Sequence, residues 1–92
     1  ELIVSIKGEI DPMTGYVYDM KELSNIIKTK VEKQLDHKNL NLDVPAFKNL
    51  NPSAENIAMV IYDWLKPCFS SDIDLKIRLY ETPRNYVDFG DD

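Results

Sequence analysis

Two stretches alternate strictly between inward and outward residues, and that pattern limits the fold more than any other feature of the chain. In residues 2–7, "LIVSIK", Leu2, Val4 and Ile6 share one face while Ile3, Ser5 and Lys7 share the other. In residues 74–81, "DLKIRLYE", Leu75, Ile77 and Leu79 point one way and Lys76 and Arg78 the other. A strand of this kind has one face to bury and one to leave to solvent, as antiparallel sheets do. The residues between the two stretches must supply the cover.

They read as helices. The "DPMTG" at 11–15 is a turn: Pro12 presets φ and Gly15 can take the left-handed conformation. "YVY" at 16–18 reads as a short extended piece. Asp19 can cap a helix, with Glu22 three residues on completing an approximate capping box. Met20, Leu23, Ile26, Ile27, Val31 and Leu35 then form an apolar stripe at helical spacing, which predicts a helix to about residue 35. The Asn-rich "KNLNLDVPAF", interrupted by Pro45, reads as loop. "NPSAEN" announces a second helix, with Ser53 as cap and Glu55 in the first turn. Ile57, Ile61, Trp64, Leu65 and Cys68 line one face, and Pro67 marks the end. "TPRN" is a turn and "YVDF" at 86–89 a last short strand. Strand, helix, helix, strand, strand makes an α+β domain spanning 1–92, an antiparallel sheet with segregated helices.

Composition narrows the function classes. Hydrophobic residues make up 43% of the 92, enough for a core. A chain this short nevertheless has a thin margin, for which oligomerisation is the simplest remedy. The net charge is −5 with no basic cluster, which argues against nucleic acid or an anionic membrane as partner. No apolar run approaches the roughly 20 residues that span a bilayer. A lone cysteine, Cys68, excludes an internal disulfide framework and points to a reducing compartment such as the cytoplasm. Glu1 opens the chain within an apparent strand, so further native residues are expected before it.

Several residues carry chemistry. His37, the only histidine, follows Asp36 where the first helix should end. Histidine is the commonest general acid/base, and a carboxylate can orient it or stabilise its imidazolium. Neighbours on a helix do not face each other, so the pair cooperates only if the helix has ended. The competing reading is that His37 and Lys38 decorate the negative helix C-terminus. Glu81, at a strand end, could accept two N–H bonds from the amidine-like edge of a flat heterocycle, or could be an ordinary exposed glutamate. One histidine and one cysteine, 31 positions apart, cannot close a zinc site, so no metal ligands are assigned within the chain. Cys68 reads as a core cysteine, and Trp64 and Tyr62 as packing. No glycine-rich phosphate loop is present.

Taken together, "GEIDPMTGYVYDM" (8–20), "LDHKNLNLDVPAF" (35–47), "NPSAENIA" (51–58) and "YETPRNYV" (80–87) resemble the 6-pyruvoyl tetrahydropterin synthase family, which includes the 6-carboxytetrahydropterin synthases. Four motifs in register carry the resemblance across essentially the whole chain. It implies the tunnelling fold, an antiparallel sheet with two helices on one face, assembled as a trimer or a dimer of trimers. It implies a lyase that acts on 7,8-dihydroneopterin triphosphate with loss of triphosphate, using zinc to acidify adjacent protons. The family's Asp–His pair falls on Asp36 and His37, and its pterin-anchoring glutamate, which joins the proton relay, falls on Glu81. "PSAEN" matches the substrate-contacting helix start, which nominates Ser53 and Glu55; Ala54 stands where some members carry a hydroxyl. The family's three zinc-binding histidines and catalytic cysteine have no counterpart here and are expected upstream, and Cys68 does not match that cysteine. The chain is therefore expected to be a portion of a longer enzyme, inactive alone. The look of "NPSAENIA" and "ETPRNYV" leans toward the 6-carboxy product and 7-deazapurine (queuosine) biosynthesis. Two rival readings remain: a metal-free pterin- or purine-binding module that keeps Glu81, and a structural oligomerisation unit.

Overall fold

The computed structural model describes residues 1–9, 12, 13, 15, 17–35 and 44–91. The elements are β1 (Leu2–Lys7), α1 (Met20–Ile27), a π turn (Lys28–Glu32), α2 (Lys33–Leu35), a 3₁₀ turn (Pro45–Phe47), α3 (Ala54–Leu65), a second 3₁₀ turn (Lys66–Cys68), β2 (Asp74–Thr82) and β3 (Asn85–Gly90). The strands form one antiparallel sheet in the order β1-β2-β3. This is the α+β architecture expected from the alternation.

The sheet has one buried face, as its strands require. Leu75 and Ile77 are fully buried at its centre, and Leu2, Val4, Ile6, Leu79 and Val87 flank them. Leu23 and Val31 of the first helical segment and Ala58, Ile61 and Leu65 of α3 close the core from the same side. Both helical segments thus lie on one face of the sheet, consistent with the tunnelling fold.

Local chemistry starts each helix. The Asp19 carboxylate accepts the amides of Lys21 (2.8 Å) and Glu22 (3.2 Å), and Ser53 Oγ accepts that of Asn56 (3.3 Å). The first helix reaches Leu35 as expected, but through a π turn, in which the Lys33 amide donates to the Lys28 carbonyl five residues back. The Thr29 hydroxyl donates to the Asn25 carbonyl at 2.9 Å, a local competitor for the helix ladder. The widened turn has a packing consequence. Leu23, Ile27, Val31 and Leu35 recur strictly every four residues, and at 3.6 residues per turn such a row drifts by about 40° per step. A π turn takes more residues per turn and offsets that drift, which keeps Val31 and Leu35 toward the core.

Four expectations need correction. Met20 is not part of the apolar stripe; it is 69% exposed. Val17 and Tyr18 form a bend and not an extended piece, with the Tyr18 ring edge-on to Phe69 at 5.1 Å. Residues 45–47 are not plain loop. They form a 3₁₀ turn that buries Phe47 completely in a second cluster with Val44 and Val60. Cys68 is half-buried against the core, short of full burial.

Candidate functional site

Glu81 lies near the end of β2, in an irregularity of the β2–β3 ladder. Tyr80 pairs with Tyr86 and Thr82 with Asn85, so two steps along β2 match one along β3 and Glu81 is the extra residue, a β-bulge. A bulge leaves its extra residue outside the ladder and re-aims its side chain. Glu81 is exposed there, on a concavity of about 420 Å³ lined with Glu1, Tyr80, Thr82 and Pro83. The Tyr80 amide bonds the Glu1 carbonyl at 2.9 Å, which carries the β1–β2 pairing up to the bulge.

The register around Glu81 is held firmly. On the sheet face away from the helices, Arg78 makes a two-pronged pair with Asp88 directly across the ladder, at 2.8 and 3.0 Å. The Arg78 guanidinium also lies 4.0 Å from the Tyr86 ring centroid, and Tyr80 and Tyr86 meet at 5.2 Å. Hydrogen bonding to Arg78 holds the Asp88 carboxyl below the usual carboxylate range, and the same bond raises Arg78.

Ser53 and Glu55 open α3. The Ser53 oxygen already accepts the Asn56 amide, so toward a ligand its hydroxyl is available to donate. Asn56 Nδ2 in turn donates to the Asn51 carbonyl at 2.8 Å, which anchors the preceding loop. Glu55 is exposed in the first turn and Ala54 is half-buried. Neither Ser53 nor Glu55 lines the Glu81 concavity within this chain.

Asp36 and His37 lie outside the described residues. The residue before them does not: Leu35 lines an apolar cavity of about 400 Å³ together with Leu2 and Leu79. Leu35, the last described residue of the first helical segment, therefore stands beside the strand that carries Glu81, two residues beyond Leu79. Among the described residues no three His, Cys, Asp or Glu side chains come together to hold a metal, so the donors in view do not build a zinc site. Trp64 packs against both clusters, in keeping with a packing role.

Sequence reasoning missed one network. The Asp91 carboxylate accepts from Tyr62 OH (2.7 Å), Lys66 Nζ (2.6 Å) and the Leu75 amide (3.1 Å), tying the end of β3 to α3 and β2. These bonds, that from Lys66 first, pull its pKa down to about 2. No local pattern signals a contact between residues 25 to 29 positions apart. The bulge had a fainter trace, the Pro83 that follows it so closely.

The family model for 6-pyruvoyl tetrahydropterin synthase matches residues 1–92. The chain belongs to this family. It is 37% identical over 87 residues to a 6-pyruvoyl tetrahydrobiopterin synthase of Homo sapiens, covering 95% of this chain and 60% of that protein. A synthase of the same name from Dictyostelium discoideum is 40% identical over 86 residues, 94% of this chain and 63% of that one. A dihydroneopterin monophosphate aldolase of Pyrococcus furiosus is 37% identical over 75 residues, 82% of this chain and 59% of that one. The chain thus spans about 60% of the length of these relatives.

Proposed function

We propose that this chain is part of a zinc-dependent pterin synthase that acts on 7,8-dihydroneopterin triphosphate and expels triphosphate. The observation that carries the reading is Glu81, the extra residue of a bulge near the end of β2, at the position where the family resemblance has its pterin-anchoring glutamate. A carboxylate accepts two parallel N–H bonds from the amidine-like edge of the ring, which fixes both identity and orientation. Asp36 and His37 serve as the proton-transfer pair: His37 takes or gives the proton and Asp36 stabilises its charged form. The Leu35–Leu79 proximity supports a shared site for this pair and Glu81. Glu81 also joins the proton relay.

Ser53 donates its hydroxyl to the substrate. Glu55 accepts from a hydroxyl or amine group, since an exposed carboxylate repels phosphate. Zinc, with ligands other than this chain's described residues, would supply Lewis-acid polarisation of the side-chain oxygens. A homo-oligomer, a trimer or dimer of trimers, completes the assembly. Its support is a sheet with β1 and β3 as edges among the described residues, and Ile3, Tyr86 and Phe89 exposed on it. No described helix is long and apolar enough to cross a membrane, and the lone Cys68 supports a reducing compartment such as the cytoplasm.

The names of the animal and Dictyostelium relatives favour the 6-pyruvoyl product, toward tetrahydrobiopterin, over the 6-carboxy product of deazapurine synthesis. The Pyrococcus relative supplies a second reading, cleavage of dihydroneopterin monophosphate. Incubating the full-length protein with each phosphate ester, with products identified by mass, separates all three. Glu81→Gln should raise KM, because one anionic acceptor becomes partly a donor. His37→Ala should lower kcat by roughly 100-fold, as for a general acid/base. Turnover of neither ester would overturn the proposal, and a zinc-free protein would favour the binding-module alternative.

A further inference from the structure

The bulge that presents Glu81 needs a cause, and the residues on either side of it supply one. The hairpin from Thr82 to Asn85 has two central residues, Pro83 and Arg84. Two-residue hairpins favour turns with positive φ at the first central position, whose twist matches that of the strands. Pro83 forbids this, because its ring holds φ near −65°. The turn must then be of a kind that splays the strands, and the ladder has to absorb the mismatch within a residue or two. The extra residue at Glu81 absorbs it.

One side chain closes this turn. Thr82 Oγ1 accepts the Asn85 amide at 3.1 Å and the Arg84 amide at 3.4 Å. The hydroxyl oxygen thus gathers both N–H groups on the far side of Pro83. Upstream, the Arg78–Asp88 pair and the Tyr80–Tyr86 contact fix the register independently. Between the fixed ladder and the fixed turn, Glu81 has one place to go.

We propose that Thr82 is a positioning residue for the Glu81 carboxylate: its hydroxyl holds the Pro83–Arg84 turn in the form that requires the bulge. The proposal rests on the reading that Glu81 anchors the pterin. Thr82 borders the same concavity as Glu81, but the role assigned to it runs through the backbone turn: a direct contact with substrate would add its loss to that of Glu81→Gln, whereas a positioning role would not. Because Thr82 is exposed, water can replace the lost acceptor when the hydroxyl is removed. The global fold is kept by the ladder upstream, and what changes is the aim of Glu81.

The test uses the full-length protein with dihydroneopterin triphosphate as substrate. Thr82→Val, which keeps the shape and removes the hydroxyl, should raise KM by roughly three- to tenfold, the scale of one hydrogen bond's net contribution, and should lower kcat as well, because Glu81 also serves the proton relay. Thr82→Ser should restore wild-type KM. In a Glu81→Gln background, Thr82→Val should add no further loss, because both act through one carboxylate. A Thr82→Val enzyme with unchanged KM, while Glu81→Gln is impaired, would overturn the proposal and leave the Glu81 reading intact. So would a Thr82→Ser enzyme as impaired as Thr82→Val, or losses that add in the double variant. If Glu81→Gln itself leaves KM and rate unchanged, the Glu81 reading has failed and the role of Thr82 falls with it.

Discussion

Phe47→Ala is the perturbation whose cost follows most directly from the structure. Phe47 is fully buried, and with Val44 and Val60 it forms a cluster separate from the main core. Leu35, Leu50, Ile57 and Trp64 pack around it, so the ring joins the 3₁₀ turn to both helical segments. A buried phenylalanine removes about 150 Å² or more of apolar surface from water, which at roughly 25 cal/mol per Å² is about 4 kcal/mol. Measured Phe→Ala changes in cores fall at about 3–5 kcal/mol, transfer and residual cavity together. A 92-residue chain is expected to have only about 5–14 kcal/mol in total, so a large share is lost. At about 5 °C per kcal/mol, the thermal midpoint should fall by roughly 20 °C. Fluorescence of Trp64, the one tryptophan in these 92 residues and a neighbour of the cluster, reports the transition. Comparison at equal protomer concentration keeps assembly from obscuring the shift. Phe47→Leu, which nearly fills the space, should lose less than half as much. A Phe47→Ala loss below about 1 kcal/mol would mean that the turn is not pinned by this ring, and the reasoning from burial would be wrong.

Two further predictions concern the end of β3. Asp91, with its pKa drawn down to about 2 from the ordinary carboxylate value of 3.8, contributes stability that is present above the unfolded value and is lost as pH falls through that window. Asp91→Asn should therefore lower the melting temperature at neutral pH, and the gap from wild type should close between about pH 4 and pH 2; a gap that stays constant across a circular-dichroism pH series would refute the linkage. Gly90 has φ of +138°, and an added Cβ would collide with the Leu75 carbonyl oxygen. Gly90→Ala should cost at least the ~1–3 kcal/mol of a backbone conformation reserved for glycine, with loss of hydrogen-exchange protection at Leu75 and Asp91 amides; wild-type stability and protection would contradict it.

Much of the fold was legible because its signals are local. Period-two alternation in residues 2–7 and 74–81 named two strands, their buried face and hence the side that the helices must cover. Asp19 and Ser53 named the helix starts, because a cap needs only the next three residues. The four-residue recurrence of Leu23, Ile27, Val31 and Leu35 fits the π turn better than a regular helix, whose 3.6-residue period would carry the row off the core. The candidate site was legible only as residue types in motif order. Glu81 was named from its place at a strand end, and Asp36 and His37, outside the described residues, stand on the resemblance.

What the sequence determined by itself was therefore the set of elements and the faces they bury, since both depend on neighbours within one helical turn or one strand. Which apolar residues find partners was decided by packing between distant segments. That is why Phe47, in an apparent loop, is fully buried while Met20, on an apparent stripe, is 69% exposed. The bulge at Glu81 belongs to the same class. It exists because the turn that Pro83 imposes must be reconciled with a register that Arg78, Asp88, Tyr80 and Tyr86 hold from the other side. No single strand contains that conflict, and only the paired ladder resolves it.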